Sequence, residues 1–410
     1  MNAEILAVGT EILLGDIVNT NAEYIARGLA ELGVGVYYQT VVGDNPERMK
    51  KAMDIAFDRA DVIVTTGGLG PTGDDLTKEM GAEYFGRKLI LDEASLERIK
   101  AFFDKMKRPM TENNVKQAMV PEGAIVMKND HGTAPGIIIE NENKILIMMP
   151  GPPREMKPMF DLQVKPFLAS KLKGAILSRT LRIAGVGEST MESRVKDLTD
   201  KMQNPTVAPY AKETEAVLRI TAAAETEEKA KELIEPVAEE IYNRFGIDVY
   251  AEGETSMQET VAKLLLEKNL TIAVSESCTG GLVASKLIEY PGISEVFMEG
   301  AVTYSNEAKM KRLGVKAETL KNYGAVSAET ALEMAEGIAK SAGTSVGLST
   351  TGVAGPGPSE GKPEGLVYVG IYINGRTFVK ELHLAGKRNV IRERAAYSAL
   401  DYLRRKILLD

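Results

Sequence analysis

The sequence predicts an α/β protein: two α/β domains, residues 1–170 and 255–410, joined by a small α+β unit over 171–254. Three observations predict it. A chain of 410 residues is too long for one ordinary core, so two or three domains are expected. Short β-branched apolar runs alternate with helix-period stretches at both ends of the chain, the pattern of βαβ units with a parallel sheet buried on both faces. Several of those runs end in glycine-rich turns, and open α/β sheets bind ligands at the carboxyl ends of their strands.

In order along the chain, "EILAVG" (4–9), "DVIVTTGG" (61–68) and "KILIMMPG" (144–151) read as strands. "TNAEYIARGLAELG" (20–33) reads as a helix with Tyr24, Leu29 and Leu32 near one stripe. "GPPREMKPMFDLQVKPF" (151–167), with four prolines, is expected to end the first domain. The middle unit reads strand, helix, strand, helix, strand. Its first helix places Met191, Val195, Leu198 and Met202 on one face, its second carries Pro236, and "IDVYAEG" closes it. From Met257 a helix with Val261, Leu264 and Leu265 on one face leads into "LTIAVSESCTGG", another strand ending in glycines. Further strands follow in "EVFMEGAVTYSNEAK", "TSVGLSTTGVAGP" and "EGLVYVGIYIN".

Composition narrows the function. Hydrophobic content of 44% and charged content of 26% are those of a folded globular protein. A net charge of −8 argues against a polyanion such as DNA as partner, and small-molecule chemistry is the expectation. A single cysteine, Cys278, excludes a disulfide framework and a Cys-rich zinc site, and suits the reducing cytoplasm. No basic leader precedes the first strand and no stretch of 18 apolar residues occurs, so neither secretion nor membrane insertion is expected.

The first chemical constellation is "TTGGLGPTGDDLT" (65–77). Gly67, Gly68 and Gly70 let backbone N–H groups approach a phosphate, and Asp74 and Asp75 beside them suggest a divalent cation. The plainer reading is a glycine turn before a capped helix. Other polar turns follow strands: "GTEILLGDIVNTN" (9–21) with Glu11, Asp16 and Asn21, "DHGTAPG" (130–136) with His131, and "PGPPREM" (150–156). Gly-Gly-x-Gly-Pro-Thr-x-Asp-Asp, the Gly-Thr-Glu start and Pro-Gly-Pro-Pro-Arg-Glu-Met together resemble the N-terminal domain of the CinA (competence/damage-inducible protein A) family, which is similar to the molybdopterin-binding fold of the MogA/MoaB type. The resemblance implies a metal-dependent ADP-ribose pyrophosphatase releasing AMP and ribose 5-phosphate. By position, Asp74 and Asp75 would hold the metal (Mg2+, Co2+ or Mn2+, with K+ as a further candidate). Thr10, Glu11, Asn21, Gly67, Gly68, Gly70 and Thr72 would contact the nucleotide.

The second constellation, "VSESCTGG" (274–281), sets Ser275, Ser277, Cys278 and Thr279 side by side. A thiolate needs a histidine or a positive environment. Of the two histidines, His131 belongs to another domain and His383 sits in a strand pattern, which leaves a Ser-Lys pair. "GAVTYSNEAKMKRLGV" (300–315) offers Tyr304 and Lys309, with Lys311 and Arg312 as rivals; a desolvated lysine can accept a proton at neutral pH, whereas arginine cannot lose one. Third, "STTGVAGPGPSEGKPEG" (349–365) is another glycine turn after a strand, and Arg388 and Arg392 near a helix start could clamp a phosphate.

Glu-Ser-Cys-Thr-Gly-Gly, Thr-Tyr-Ser-Asn-Glu-Ala-Lys, Gly-Ala-Val-Ser and Gly-Val-Ala-Gly-Pro, in that order, resemble the nicotinamide mononucleotide (NMN) deamidase family that forms the C-terminal half of CinA. This implies hydrolysis of NMN to nicotinate mononucleotide and ammonia without a metal or other cofactor. By position Ser277 is the nucleophile, Lys309 the base, and Tyr304 assists proton transfer. Thr279, Gly280, Gly281, Asn306, Gly352, Ala354, Gly355 and Arg392 would form the substrate, oxyanion and phosphate contacts. After Ala-Gly-Pro the family commonly has Gly-Gly, where this chain has Gly357-Pro358-Ser359.

The middle segment of CinA-like proteins resembles a KH-type fold. Its RNA-gripping Gly-x-x-Gly loop is represented here only by "AGVGEST", with Glu188 in place of a basic residue, so a connector or dimerisation role in a cytoplasmic homodimer is expected. The alternatives are a nucleic-acid-associated adaptor, or an N-terminal domain that binds a pterin or nucleotide without turnover.

Overall fold

The predicted alternation builds three sheets and a short ribbon. The computed structural model describes residues 1–172, 174–211 and 214–409. It divides into two units, Met1–Leu177 with Ala222–Glu232, and Ser178–Thr221 with Leu233–Asp410.

In the first unit the strands are β1 (Asn2–Val8), β2 (Gly35–Val42), β3 (Val62–Thr66), β4 (Leu89–Leu91), β5 (Met119–Pro121), β6 (Ile125–Met127), β7 (Gly136–Asn141) and β8 (Lys144–Met149). Six form one sheet in the order β2-β1-β3-β8-β7-β6, and β4 pairs with β5. Alternate residues feed the two faces: Ile5 and Val64 pack with Ile25 and Leu29, whereas Leu6 and Ile63 pack with Met49, Met53 and Phe57. The helices that supply those layers start on asparagine caps, Asn19 before Thr20–Glu31 and Asn45 before Pro46–Arg59.

One expectation is corrected here. The sheet is parallel from β2 to β8 but antiparallel across β8, β7 and β6. The link Asn141–Lys144 is a tight hairpin with Glu142 at φ 51°, and so short a turn can join only antiparallel strands. The proline-rich 151–167 segment follows β8. It folds as consecutive helical pieces, Pro153–Met159, a π-turn over Phe160–Val164 and Lys165–Lys171, and buries Phe160, Val164 and Leu168 in the core. Pro153 occupies a first-turn position, where the missing N–H costs nothing.

The middle segment forms a four-stranded sheet from β9 (Ala175–Ile183), β10 (Thr206–Ala211), β11 (Ala216–Ala224) and β12 (Val249–Glu252), in the order β10-β11-β9-β12. Strand β10 is absent from the sequence reading because it carries Pro209; as an edge strand it tolerates a proline.

The last sheet contains β13 (Ile272–Glu276), β14 (Phe297–Val302), β15 (Val346–Gly352), β16 (Leu366–Ile373) and β17 (Arg376–His383), ordered β14-β13-β15-β16-β17. Strand β13 lies parallel between β14 and β15, and Glu276 at its end pairs with Val302 and Thr350. The residues just beyond those strand ends therefore meet at one edge. Within this unit the helix Arg388–Leu409 is clamped to the middle segment. Buried Asp401 bonds both Arg404 and Arg405, which in turn hold the Ile247 carbonyl, Asp248 and the Ala184 carbonyl. No helix among the described residues is long and apolar enough to cross a membrane.

Candidate active sites

The turn after β13 carries Ser277 into the helix Leu282–Ile288. It needs two consecutive glycines, Gly280 at φ 62° and Gly281 at φ 95°, a region costly for residues with a Cβ. Glu276, 1% exposed, locks the turn: its Oε2 accepts from the N–H groups of Gly281 (3.0 Å) and Val283 (3.1 Å), and its Oε1 from that of Ala284 (2.8 Å). A carboxylate on a helix N-terminus satisfies donors that would otherwise be left unpaired. The sequence reading missed this residue; a glutamate ending a strand one helix turn before a Gly-Gly helix start is the signal.

Lys309, on the helix Asn306–Leu313, is 1% exposed. Its Nζ lies 3.2 Å from Ser277 Oγ and donates to the carbonyls of Thr303 (2.9 Å) and Tyr304 (3.2 Å). Two carbonyls fix two of the nitrogen's positions and the third faces the serine, so a neutral amine there presents its lone pair to the hydroxyl proton. Burial pushes Lys309 below the usual lysine range, which favours that neutral form. The rivals fall away on geometry: Lys311 is exposed and Arg312 pairs with Glu299.

Cys278 is a packed neighbour. It lies among Ala354, Val367, Ile391 and Ala395, and burial pushes its thiol up to about 12. Thr279 is buried, with its hydroxyl 2.6 Å from that of Thr350, and its carbonyl accepts from Arg392 (2.9 Å). Arg388 donates to the Gly355 carbonyl and to the Tyr304 hydroxyl (3.3 Å). Ser277, Lys309, Tyr304, Arg388 and Gly355 are thus linked by a chain of direct bonds, and Arg392 and Thr279 form a separate bonded pair beside it.

Other expected contacts fall elsewhere. Tyr304, 63% exposed, gives its backbone carbonyl to Lys309, but its hydroxyl bonds Arg388 and not the Ser277–Lys309 pair. The Gly280 and Gly281 N–H groups are occupied by the Ser277 carbonyl and by Glu276, so neither is an open oxyanion donor. Gly352 is glycine because β16 passes within contact distance: a Cβ would lie 2.7 Å from the Leu366 carbonyl oxygen. Ala354 belongs to the apolar cluster around Cys278, and Asn306 is exposed at the first position of its helix. His383 is exposed on β17 and bonds Glu381 at 2.7 Å.

The first unit holds a cleft of about 760 Å3 at the carboxyl ends of β1, β3 and β8. Glu11, Asn21, Gly67, Gly68, Gly70, Asp74 and Asp75 line it. Gly67 (φ 104°) and Gly68 (φ 67°) admit no side chain, since a Cβ would come within 2.1 Å of the Val8 carbonyl oxygen and of Thr77 Oγ1 respectively. Thr77 anchors the turn from below through the carbonyls of both glycines. Thr10 and Thr72 stand apart from the cleft lining. Thr10 gives its N–H (3.0 Å) and hydroxyl (2.8 Å) to Asp44, and Thr72 gives both of its groups to Asp75. His131 is exposed outside the cleft.

Asp44 and Glu155 complete a lining of five carboxylates with Glu11, Asp74 and Asp75, and among the described residues no lysine, arginine or histidine joins them. Glu155 is 8% exposed and accepts from Asn129 at 2.8 Å. Neither acid was singled out from sequence: Asp44 follows β2, and Glu155 lies in the first turn of the helix Pro153–Met159. Lys116 bonds the Thr72 and Asp75 carbonyls from behind the loop, and beneath it Lys78, 2% exposed, is pushed down to about 8 by burial.

Family models agree with this division of labour along the chain. Residues 4–170 match a "Probable molybdopterin binding domain", 178–251 a "Damage-inducible protein CinA KH domain" and 254–407 a "CinA C-terminal domain". A "competence-damage inducible protein" of Clostridium beijerinckii is 56% identical over 409 residues, covering 100% of both chains. A "CinA-like protein" of Dictyoglomus thermophilum is also 56% identical over 409 residues with the same coverage. Among solved structures, the CinA protein "with unknown function" from Thermoplasma acidophilum is 37% identical, covers 40% of this chain and 96% of its own, and has a TM-score of 0.38. Similarity over the full length, with all three domain models in order, places the chain in the CinA family.

Proposed function

We propose that the chain is a bifunctional hydrolase of pyridine-nucleotide salvage. The C-terminal site would convert NMN to nicotinate mononucleotide and ammonia, and the N-terminal cleft would split ADP-ribose into AMP and ribose 5-phosphate. The observation that carries the first half is the 3.2 Å contact between Ser277 Oγ and a buried Lys309 Nζ.

In this mechanism Ser277 Oγ attacks the amide carbon while neutral Lys309 takes its proton. Collapse of the tetrahedral adduct breaks the C–N bond, and Lys309 returns the proton to the leaving nitrogen, releasing ammonia. Water then attacks the ester with Lys309 as base, freeing the acid and restoring Ser277. The carbonyls of Thr303 and Tyr304 orient the amine, Glu276 holds the serine's turn, and Arg388 and Arg392 offer charge to the nucleotide phosphate.

In the cleft, five carboxylates without a cationic side chain would repel a bare diphosphate, so the donor set fits a divalent cation. Asp74 and Asp75 would hold it. No group of three or more His, Cys, Asp or Glu side chains placed to hold a metal ion exists among the described residues; the cation would be Mg2+, Co2+ or Mn2+, with K+ a further candidate. When bound, the metal supplies charge neutralisation at the diphosphate.

The test is Ser277→Ala in the full chain. Ammonia release from NMN should fall at least about 1000-fold, with AMP formation from ADP-ribose unchanged. Retained deamidation by a folded variant sinks the assignment.

A further inference from the structure

Arg388 and Arg392, the two cations of the C-terminal site, are held by the same device used twice. Each guanidinium donates to one backbone carbonyl, Arg392 to that of Thr279 (2.9 Å) and Arg388 to that of Gly355. Thr279 sits in the turn that Glu276 locks through three N–H groups. Gly355 opens a loop that runs Gly355-Pro356-Gly357-Pro358-Ser359. Proline carries no N–H, so Gly357 is the only backbone donor between Gly355 and Ser359.

Glu364 takes that donor. Its Oε2 accepts from the Gly357 N–H at 2.7 Å. The same carboxyl packs on the α-carbon of Gly355: that residue has φ 84°, and a Cβ there would lie 2.4 Å from Glu364 Cδ. One side chain therefore fixes both Gly355 and the amide two residues on. The base of the loop is closed separately, by the Val353 N–H on the Leu366 carbonyl and the Gly365 N–H on the Val353 carbonyl, each 2.8 Å. Its far side is tied by Glu360, whose Oε2 accepts from the Ala325 N–H at 2.9 Å. Glu364 is the link whose effect falls on the Gly355 carbonyl. It falls in turn on Arg388, an exposed side chain that also bonds the Tyr304 hydroxyl (3.3 Å).

We propose that Glu364 is a positioning residue for phosphate recognition in the C-terminal site. By holding the Gly357 amide it sets the Gly355 carbonyl, which orients the Arg388 guanidinium for the phosphate of a pyridine mononucleotide. The inference rests on reading this site as an NMN deamidase. Arginine recognises phosphate through a planar fork, so its contribution depends on angle as well as distance. A guanidinium released from its carbonyl keeps its charge but must be ordered at the moment of binding, and affinity is lost to that ordering. Glu364 acts through Arg388 and not on the amide, so it makes the site select the nucleotide over the riboside, whose amide is identical.

The experiment is ammonia release from NMN and from nicotinamide riboside by the full chain. It compares the natural protein with Glu364→Ala, Glu364→Gln, Arg388→Gln, and the double variant Glu364→Ala with Arg388→Gln. Both side chains are exposed, so an unchanged melting temperature is expected throughout. Glu364→Ala should raise KM for NMN about fivefold with kcat within about twofold, and leave kcat/KM for the riboside within about twofold. Glu364→Gln keeps an oxygen that can accept the Gly357 N–H and should lose little. In the Arg388→Gln background, Glu364→Ala should cost nothing further on NMN, because the two changes remove one contact. Equal loss on both substrates, a fall in kcat alone, or additive losses in the double variant overturns the proposal. A collapse in the melting temperature of Glu364→Ala does so as well, since the residue would then hold the fold and not the arginine. A natural protein that releases no ammonia from NMN removes the deamidase reading together with this one. Deamidation of NMN with an unmoved KM in Glu364→Ala removes this one alone.

Discussion

The two candidate sites solve the problem of charge in opposite ways. Around β13 the reacting groups are already in contact and the base is buried: Lys309 is 1% exposed, bonded to two carbonyls, and 3.2 Å from Ser277. In the N-terminal cleft the groups are spread over an open wall of five acids, and its neighbouring lysines, Lys78 and Lys116, are committed to backbone carbonyls. The first arrangement suits chemistry done by the protein's own proton acceptor. The second suits chemistry in which an added cation brings the positive charge.

Metal removal should separate the sites most sharply. EDTA is expected to abolish AMP formation from ADP-ribose and to leave ammonia release from NMN within about twofold, read as products by chromatography; equal loss of both activities would erase the contrast. A smaller effect should follow Glu276→Gln. The amide keeps one acceptor but turns a donor toward a backbone N–H, so ammonia release should fall about tenfold and the melting temperature should drop, with AMP formation unaffected. An unaltered deamidation rate would show that the turn holds itself. The mildest test is pH. Burial lowers Lys309, and the base must be neutral to act, so deamidation should rise with pH through a limb below the ordinary lysine value of 10.5. A limb at or above that value would place the lysine in water.

Much of this was legible in the sequence because it depends on local pattern. Glycines forced to positive φ, such as Gly67 and Gly281, announce turns wherever they follow an apolar run. The scarcity of histidine directed attention to a lysine, and the family motifs pointed to Ser277 and Lys309. What escaped was decided by side-chain partners that appear only once the turns and helices are folded. Thr10 and Thr72 look like ligand hydroxyls until Asp44 and Asp75 take them. Tyr304 looks like a proton relay until Arg388 bonds it from 84 residues away. Glu276 acts only once the following helix supplies its N–H groups, and β10 becomes a strand only because an edge forgives Pro209.

The clamp centred on Asp401 has a practical bearing on how the protein can be divided. Cutting near residue 254, where the C-terminal family model begins, would leave Arg404 and Arg405 without the Ile247 carbonyl, Asp248 and the Ala184 carbonyl. Two guanidinium groups would then face a newly bared surface beside Asp401. The same clamp holds Ala184, the first residue of the "AGVG" loop, against the last helix, where an RNA backbone would need room. The middle segment thus braces the last helix of the C-terminal domain, and an excised fragment of that domain should include it.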